Sequence, residues 1–275
     1  MKKIVLSLLI ASGLLNANAQ LRTPAPSPTQ SIKQDFGVSS VELIYSRPSI
    51  RGRKIFGDLV PWNAVWRTGA NSATRIKFND DVTFGGQPLK AGEYAIYTIP
   101  GQNEWEVIVN KGSANWGTEY KKEDDIFRVK AKPVELPYSI QSFTMGFSDV
   151  TATSCKLQMM WDNVYIDVPI TTEIDKKVMA QIDNLINKDN RPYFQAAMYY
   201  LENGKDLNQA LTWFDKAIAQ NPTGYYIYHQ KANTLAKLGR KDEARAVAQK
   251  SMDMAREQKN EDYVRLNEKL LAGLK

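Results

Sequence analysis

Residues 74–101 read TRIKFNDDVTFGGQPLKAGEYAIYTIPG. Apolar and polar side chains alternate through Arg75–Phe78 and again through Glu93–Thr98, the period of a half-buried strand. Gly85 and Gly86 stand between two short runs and supply the positive φ that a tight hairpin turn requires. A third strand follows, with Tyr94, Ile96 and Thr98 on one face. The same alternation extends in both directions. Upstream, GVSSVELIYS (37–46) alternates after Gly37. Downstream, EWEVIVNK (104–111) sets Trp105, Val107 and Val109 against Glu104, Glu106 and Ile108. The runs DIFRVKAKPVEL, IQSFTMGFSDV, SCKLQMMWDN and VYIDVPI continue it to residue 170. About nine short strands over residues 36–172 predict an antiparallel β-sandwich or barrel. A domain of that length buries one core without disulfides.

At residue 173 the period changes from two to 3.6. The stretch TTEIDKKVMAQIDNLINKDN (171–190) places Ile174, Val178, Ile182, Leu185 and Ile186 on one helical face, with Thr171 or Thr172 as its cap. Beyond it the sequence repeats. Ala210, Phe214 and Ala217 return as Ala244, Ala248 and Ser251, and Leu201 returns as Leu235, each 34 residues on. Small residues at that interval let paired helices touch, and Pro222 closes the first unit. The pattern resembles the tetratricopeptide repeat. Two repeats are legible, with a capping helix from Asn260 to Leu274. The fold class is therefore α+β multidomain, a β-sandwich or barrel followed by an α-helical repeat domain over 173–275. Such a helical domain either presents a groove to a protein or peptide or packs as an appendage.

The N-terminus has the three parts of an export signal: Lys2 and Lys3, the apolar run Ile4–Leu15, and Ala17-Asn18-Ala19 as a cleavage pattern. The run is shorter than the roughly 20 residues that span a bilayer. Residues 1–19 are expected to be removed, giving a periplasmic or secreted protein without a transmembrane segment. An extended leader over 20–35 follows, with Pro24, Pro26 and Pro28 on alternate positions. Loss of Lys2 and Lys3 lowers the formal net charge from +6 to +4. The basic residues are interspersed with acidic ones, which argues against a nucleic-acid partner. Cys155 is the single cysteine and His229 the single histidine. Residues 20–173 therefore hold no Ser-His-Asp triad, no Cys-His pair and no His/Cys zinc set. No cofactor and no metal site is expected.

One stretch fits no regular element: YSRPSIRGRKIFGDLVPWNAVWRTGAN (45–71). Its guanidinium groups suit planar oxyanions, and its indole faces suit sugar rings. Arg47, Arg53, Trp66, Arg67 and Asn71 are the candidate ligand-binding residues, joined by Trp116 from the NWG stretch (115–117). The ligand class is an acidic small molecule or glycan. The competing reading makes the same arginines staples, paired with Asp58, Glu93, Asp124 or Asp125 to fasten a loop that has no ladder of its own. Glu93, Glu106, Asp124 and Asp125 are the carboxylates available for acid–base work.

An ordered set of words runs through residues 37–170: YSRPSIRGRKIFG, LVPWNAVWRTGAN, GGQPLKAGEYAIYTIPG, EWEVIVNK, NWG and DIFRVKAKP, with FTMGF and LQMMWDN after them. In these the domain resembles domain-of-unknown-function family 2911, a group of secreted bacterial proteins. The resemblance implies no established chemistry, and it agrees with a tetratricopeptide tail as companion. The expected role is non-catalytic binding by the β-domain with a protein contact through the repeats. A carboxylate-dependent glycan hydrolase and a pure envelope scaffold are the alternatives.

Overall fold

The computed structural model describes residues 23–112, 119–186, 188 and 191–274. The chain divides after Glu173 into two compact units.

The first unit is built from ten strands among the described residues. They are β1 (Thr29–Phe36), β2 (Ser39–Ser46), β3 (Thr74–Phe78), β4 (Val82–Phe84), β5 (Gln87–Leu89), β6 (Gly92–Ile99), β7 (Trp105–Asn110), β8 (Asp125–Ala131), β9 (Val134–Ser148) and β10 (Ser154–Thr171). Six form a sheet in the order β1-β2-β3-β6-β7-β8, and four form a second in the order β5-β4-β10-β9. Every neighbouring pair is antiparallel. Inward residues of the larger sheet, among them Leu43, Ile76, Ile96 and Val107, share one core with Phe143, Met145, Leu157 and Trp161 of the smaller. The sandwich-or-barrel question is thus decided for a two-sheet sandwich.

Three departures from the sequence reading have physical causes. β1 opens at Thr29, inside the stretch expected to be a leader, and its polar residues hid it. Only Phe36 of that strand is buried, and its order comes from the full ladder to β2, Thr29 opposite Ser46 through Phe36 opposite Ser39. The prolines stop one residue before the strand begins, as their missing N–H groups require. Secondly, SCKLQMMWDN and VYIDVPI are one strand. The Asp162-Asn163 pair that reads as a turn is an irregularity within β10, where Asp162 takes φ 52° and the register to β9 shifts on both sides. Thirdly, β9 runs through Pro137. It tolerates that proline because β9 is the edge of its sheet.

The second unit holds six helices among the described residues: α1 (Asp175–Ile186), α2 (Tyr193–Glu202), α3 (Leu207–Gln220), α4 (Tyr225–Lys237), α5 (Lys241–Glu257) and α6 (Glu261–Gly273). The repeated small residues do what their spacing implies. Ala210, Ala217, Ala244, Ala248 and Ser251 are at most 2 % exposed, so the paired helices approach over them. Asp206 caps α3 by accepting from the N–H groups of Asn208 and Gln209. Asn260 caps α6 by accepting from Tyr263 N–H.

Candidate functional site

The segment between β2 and β3 is a plug over one end of the sandwich. Its first part lies along β9: Ile50 N–H donates to Gln141 O at 2.8 Å, and Phe143 N–H donates to Pro48 O at 2.8 Å. Arg47 continues that contact, donating from Nε to Phe143 O (3.1 Å) and from Nη2 to Thr144 Oγ1 (2.8 Å). Arg53 turns back on its own loop, donating to Ile50 O (3.0 Å) and Ser49 O (2.7 Å). Ile55, Phe56 and Val60 then enter the core. Gly57 takes φ 82°, and a Cβ there would lie 2.4 Å from Trp62 Nε1, so no other residue fits the turn.

Trp66 is half-buried and packs against the core. Its backbone exchanges hydrogen bonds with Thr98 of β6, and its indole N–H donates to Gly69 O at 3.1 Å. Its ring stacks on Trp161 (centroids 5.8 Å, 19°) and meets Phe143 edge-on at 5.0 Å. Asn71, at φ 59°, donates to Ser46 Oγ and Ser27 O, both at 3.2 Å. Together with Arg47 N–H to Pro28 O and Arg51 Nη2 to Pro26 O, that bond clips residues 26–28 to the plug. Arg47, Arg53, Trp66 and Asn71 are thus turned onto the protein itself, and the acceptors of the two arginines are carbonyls and a hydroxyl where acids were expected.

Arg67 differs. Its Nε is buried and has no hydrogen-bond partner, and its guanidinium makes no ion pair among the described residues. The Trp66–Thr98 pairing sets Arg67 opposite Tyr97 on β6. Because Trp66 points inward, alternation sends Arg67 to the outer face of the six-stranded sheet. Tyr97 lies on that face, fully buried with Ala73, Ala95 and Ile108. Its hydroxyl is also without a partner. An orphaned buried polar group costs about 1–3 kcal/mol, and here two occupy neighbouring positions.

Next to them a satisfied network occupies the rest of the face. Asp125 accepts from Tyr120 O–H (2.8 Å), Asn110 Nδ2 (2.9 Å) and Arg128 Nε and Nη2 (3.1 and 2.8 Å). Arg128 also donates to Glu106 at 2.9 Å. Burial, followed by the bond to Asp125, pushes the Tyr120 hydroxyl up to about 12. Burial also raises Tyr97, with Glu119 and Asp125 adding to it. Both phenols therefore stay protonated at neutral pH. Glu93 pairs with Arg75 at 3.5 Å.

The helical unit carries a trough. One part, about 490 Å³, lies between α2 and α4 and is lined by Met198, Leu201, Glu202, Gln230, Asn233 and Lys237. The next, about 450 Å³, lies between α4 and α6 and is lined by His229, Lys241, Leu266, Lys269 and Leu270. Asn233 and Ala236 line both, which makes the two continuous. His229 is held by Asn267, Nδ1 to Oδ1 at 2.8 Å, and Asn267 donates to Ser251. A cleft of about 550 Å³ among α3, α4 and α5 is of another kind. Its charges neutralise each other, Lys231 on Asp215 at 2.5 Å and Arg240 on Glu243 at 2.6 Å.

Sequence profiles assign both units. Residues 27–170 match the family described as "Protein of unknown function (DUF2911)". The chain belongs to that family. The DUF2911 match takes in all of β1, in step with the strand found there. Residues 213–246 match a tetratricopeptide repeat, a module of protein–protein contact. No curated protein and no solved structure matches the chain.

Within the DUF2911 unit, Trp116 lies outside the described residues. Of the other candidates, Arg67 alone is left without a partner. Sequence reading passed over Tyr97, Asn110, Tyr120 and Arg128. The signal for Tyr97 was present in the alternation of GEYAIYTI, whose second face carries Ala95 and Tyr97. Nothing in the sequence said that this outer face is covered. Cys155 is 2 % exposed, and burial pushes its thiol up to about 11, as befits a small apolar core residue.

Proposed function

We propose that the protein is an exported, non-catalytic binding protein whose helical unit holds an acidic, partly apolar segment of another protein in the trough across α2, α4 and α6. The observation that carries this reading is the contrast between the two sides of the helical unit. In the trough Lys241 and Lys269 have no acidic partner among the described residues and stand beside Leu266, which is 45 % exposed. On the α3–α5 side the cations are matched. Unpaired cations beside exposed apolar surface suit a chain that brings carboxylates and apolar side chains together.

The carboxylates support the absence of catalysis. Glu106 and Asp125 share Arg128, and Glu93 pairs with Arg75, so three of the four candidate carboxylates are taken up in ion pairs. Export is supported by the Lys2–Ala19 signal pattern, and no helix among the described residues is long and apolar enough to cross a membrane.

The test is fluorescence anisotropy with labelled acidic peptides carrying one or two leucines, against basic and neutral controls. Binding confined to the acidic set, weakened tenfold or more by Lys241→Glu with Lys269→Glu, supports the trough. Binding unaffected by the double reversal, while Lys231→Glu removes it, moves the contact to the other side. Loss with neither variant, or no binding, refutes the reading.

A further inference from the structure

We infer that His229 is a third carboxylate contact of the trough, whose Nε2 takes up a proton when an acidic segment binds, so that the segment is held more tightly as the pH falls. This rests on the trough reading above and deepens it.

The first support is the fixed ring. Asn267, fully buried, donates from Nδ2 to Tyr263 O (2.7 Å) and to Ser251 Oγ (3.0 Å). A carbonyl only accepts, so the amide is turned one way and its Oδ1 faces His229 Nδ1 at 2.8 Å. Nδ1 therefore carries a proton whether the ring is neutral or charged. Tyr263 meets the ring edge-on at 5.5 Å. A second proton thus enters at one atom, Nε2, and requires no turn of the ring.

The second is the place of that atom. His229 lines the part of the trough between α4 and α6. Nε2 has no hydrogen-bond partner among the described residues and is not closed off from solvent. With Nδ1 tied to α6, the opposite edge of the ring is the one left for a ligand. A neutral ring offers that ligand a lone pair, and a protonated ring offers it a charged donor.

The third is the set of charges around it. Lys241 at the start of α5 and Lys269 of α6 line the same space, and no carboxylate does. The adjoining part adds Lys237 of α4 and Glu202 of α2. Asp253 of α5 and Glu268 of α6 are both held by Arg256, and Lys231 is held by Asp215. Burial pushes the Tyr263 hydroxyl up, so it stays neutral. Positive charges gathered without counter-ions repel. A segment that seats carboxylates beside Lys241 and Lys269 supplies the counter-charge, and a protonated Nε2 then donates a charge-assisted hydrogen bond to one of them. Proton uptake on binding means that affinity rises as pH falls.

The fourth is that His229 is the single histidine. Histidine is the side chain whose charge ordinarily changes between about pH 5 and 8. The thiol of Cys155, pushed up to about 11, lies outside that window.

The experiment uses the full mature chain at constant ionic strength, with N-acetylated acidic peptides carrying one or two leucines as probes. Aspartate and glutamate, which titrate near 4, stay ionised from about pH 8 to about pH 6. Over that range fluorescence anisotropy is expected to show binding tightened roughly fivefold or more. Isothermal titration in buffers of different ionisation enthalpy is expected to show net proton uptake of at most one per complex. His229→Asn keeps an amide donor for Asn267 Oδ1 but takes up no proton. It is expected to bind with the same affinity across the range and without uptake. Binding that is confined to acidic peptides and weakened by Lys241→Glu with Lys269→Glu, yet flat with pH in the parent, overturns the role of His229 and leaves the trough reading standing. No binding of any acidic peptide overturns both. Uptake that persists in His229→Asn also overturns the role of His229. Should that variant fail to fold, His229→Gln takes its place, and a parent that takes up no proton overturns the role without either variant.

Discussion

The helical unit and the plug of the sandwich use arginine in opposite ways. On the helices Arg240, Arg245, Arg256 and Arg265 each pair with an acid three residues away, on exposed surface. In the plug of the sandwich Arg47 and Arg53 meet no acid and donate to backbone carbonyls. The cause is the backbone. A helix satisfies its own carbonyls except in the last turn, so a surface arginine finds mostly side chains, and Arg245 meets a carbonyl only at Leu274, just past the end of α6. A segment without a ladder leaves carbonyls open, and a forked donor closes two acceptors at once. The same residue is a surface ornament in one unit and a fastening in the other.

The sharpest test of that contrast begins with the residue the fastenings hold in place. Trp66→Ala removes a ring in contact with Phe56, Trp105, Phe143 and Trp161. It is expected to cost about 3 kcal/mol, read as a lower urea midpoint by tryptophan fluorescence, with the helical signal at 222 nm retained after the sandwich has unfolded. Arg47→Ala removes the donors to Phe143 O and Thr144 Oγ1 and is expected to cost about 2 kcal/mol in the same assay. Arg240→Ala leaves only Glu243 unpaired on exposed surface and should not move either transition measurably. Equal losses in Arg47→Ala and Arg240→Ala would break the comparison. A loss in Arg47→Ala that exceeds that of Arg53→Ala would sharpen it, since Arg47 ties the plug to β9 whereas Arg53 binds only within the plug.

Much of the architecture was legible because it rests on local period. The Gly85-Gly86 hairpin, the inward face of Trp105, Val107 and Val109, and the alanine spacing of the repeats all declare themselves within a few residues. What escaped depended on distant partners. β1 is polar and gains its order from β2. Asp162 bends a strand only because β9 lies beside it. Arg47 and Arg67 are indistinguishable as letters, and the acceptor that separates them, Phe143 O, stands 96 positions from Arg47. The burial of Tyr97 on an outer face was hidden for the same reason.

That separation sets a timetable. A chain emerging from its N-terminus first presents Phe56, Trp62 and Trp66 well before the β9 segment and Trp161 that cover them. At about 5–20 residues per second the wait from residue 47 to residue 143 lasts roughly 5–20 s. Through that interval an aromatic, cationic segment stands open to any surface that will take it. The nascent protein is therefore stickiest in the very segment that the finished one hides, and its yield will depend on what guards residues 54–66 until the last long hairpin arrives.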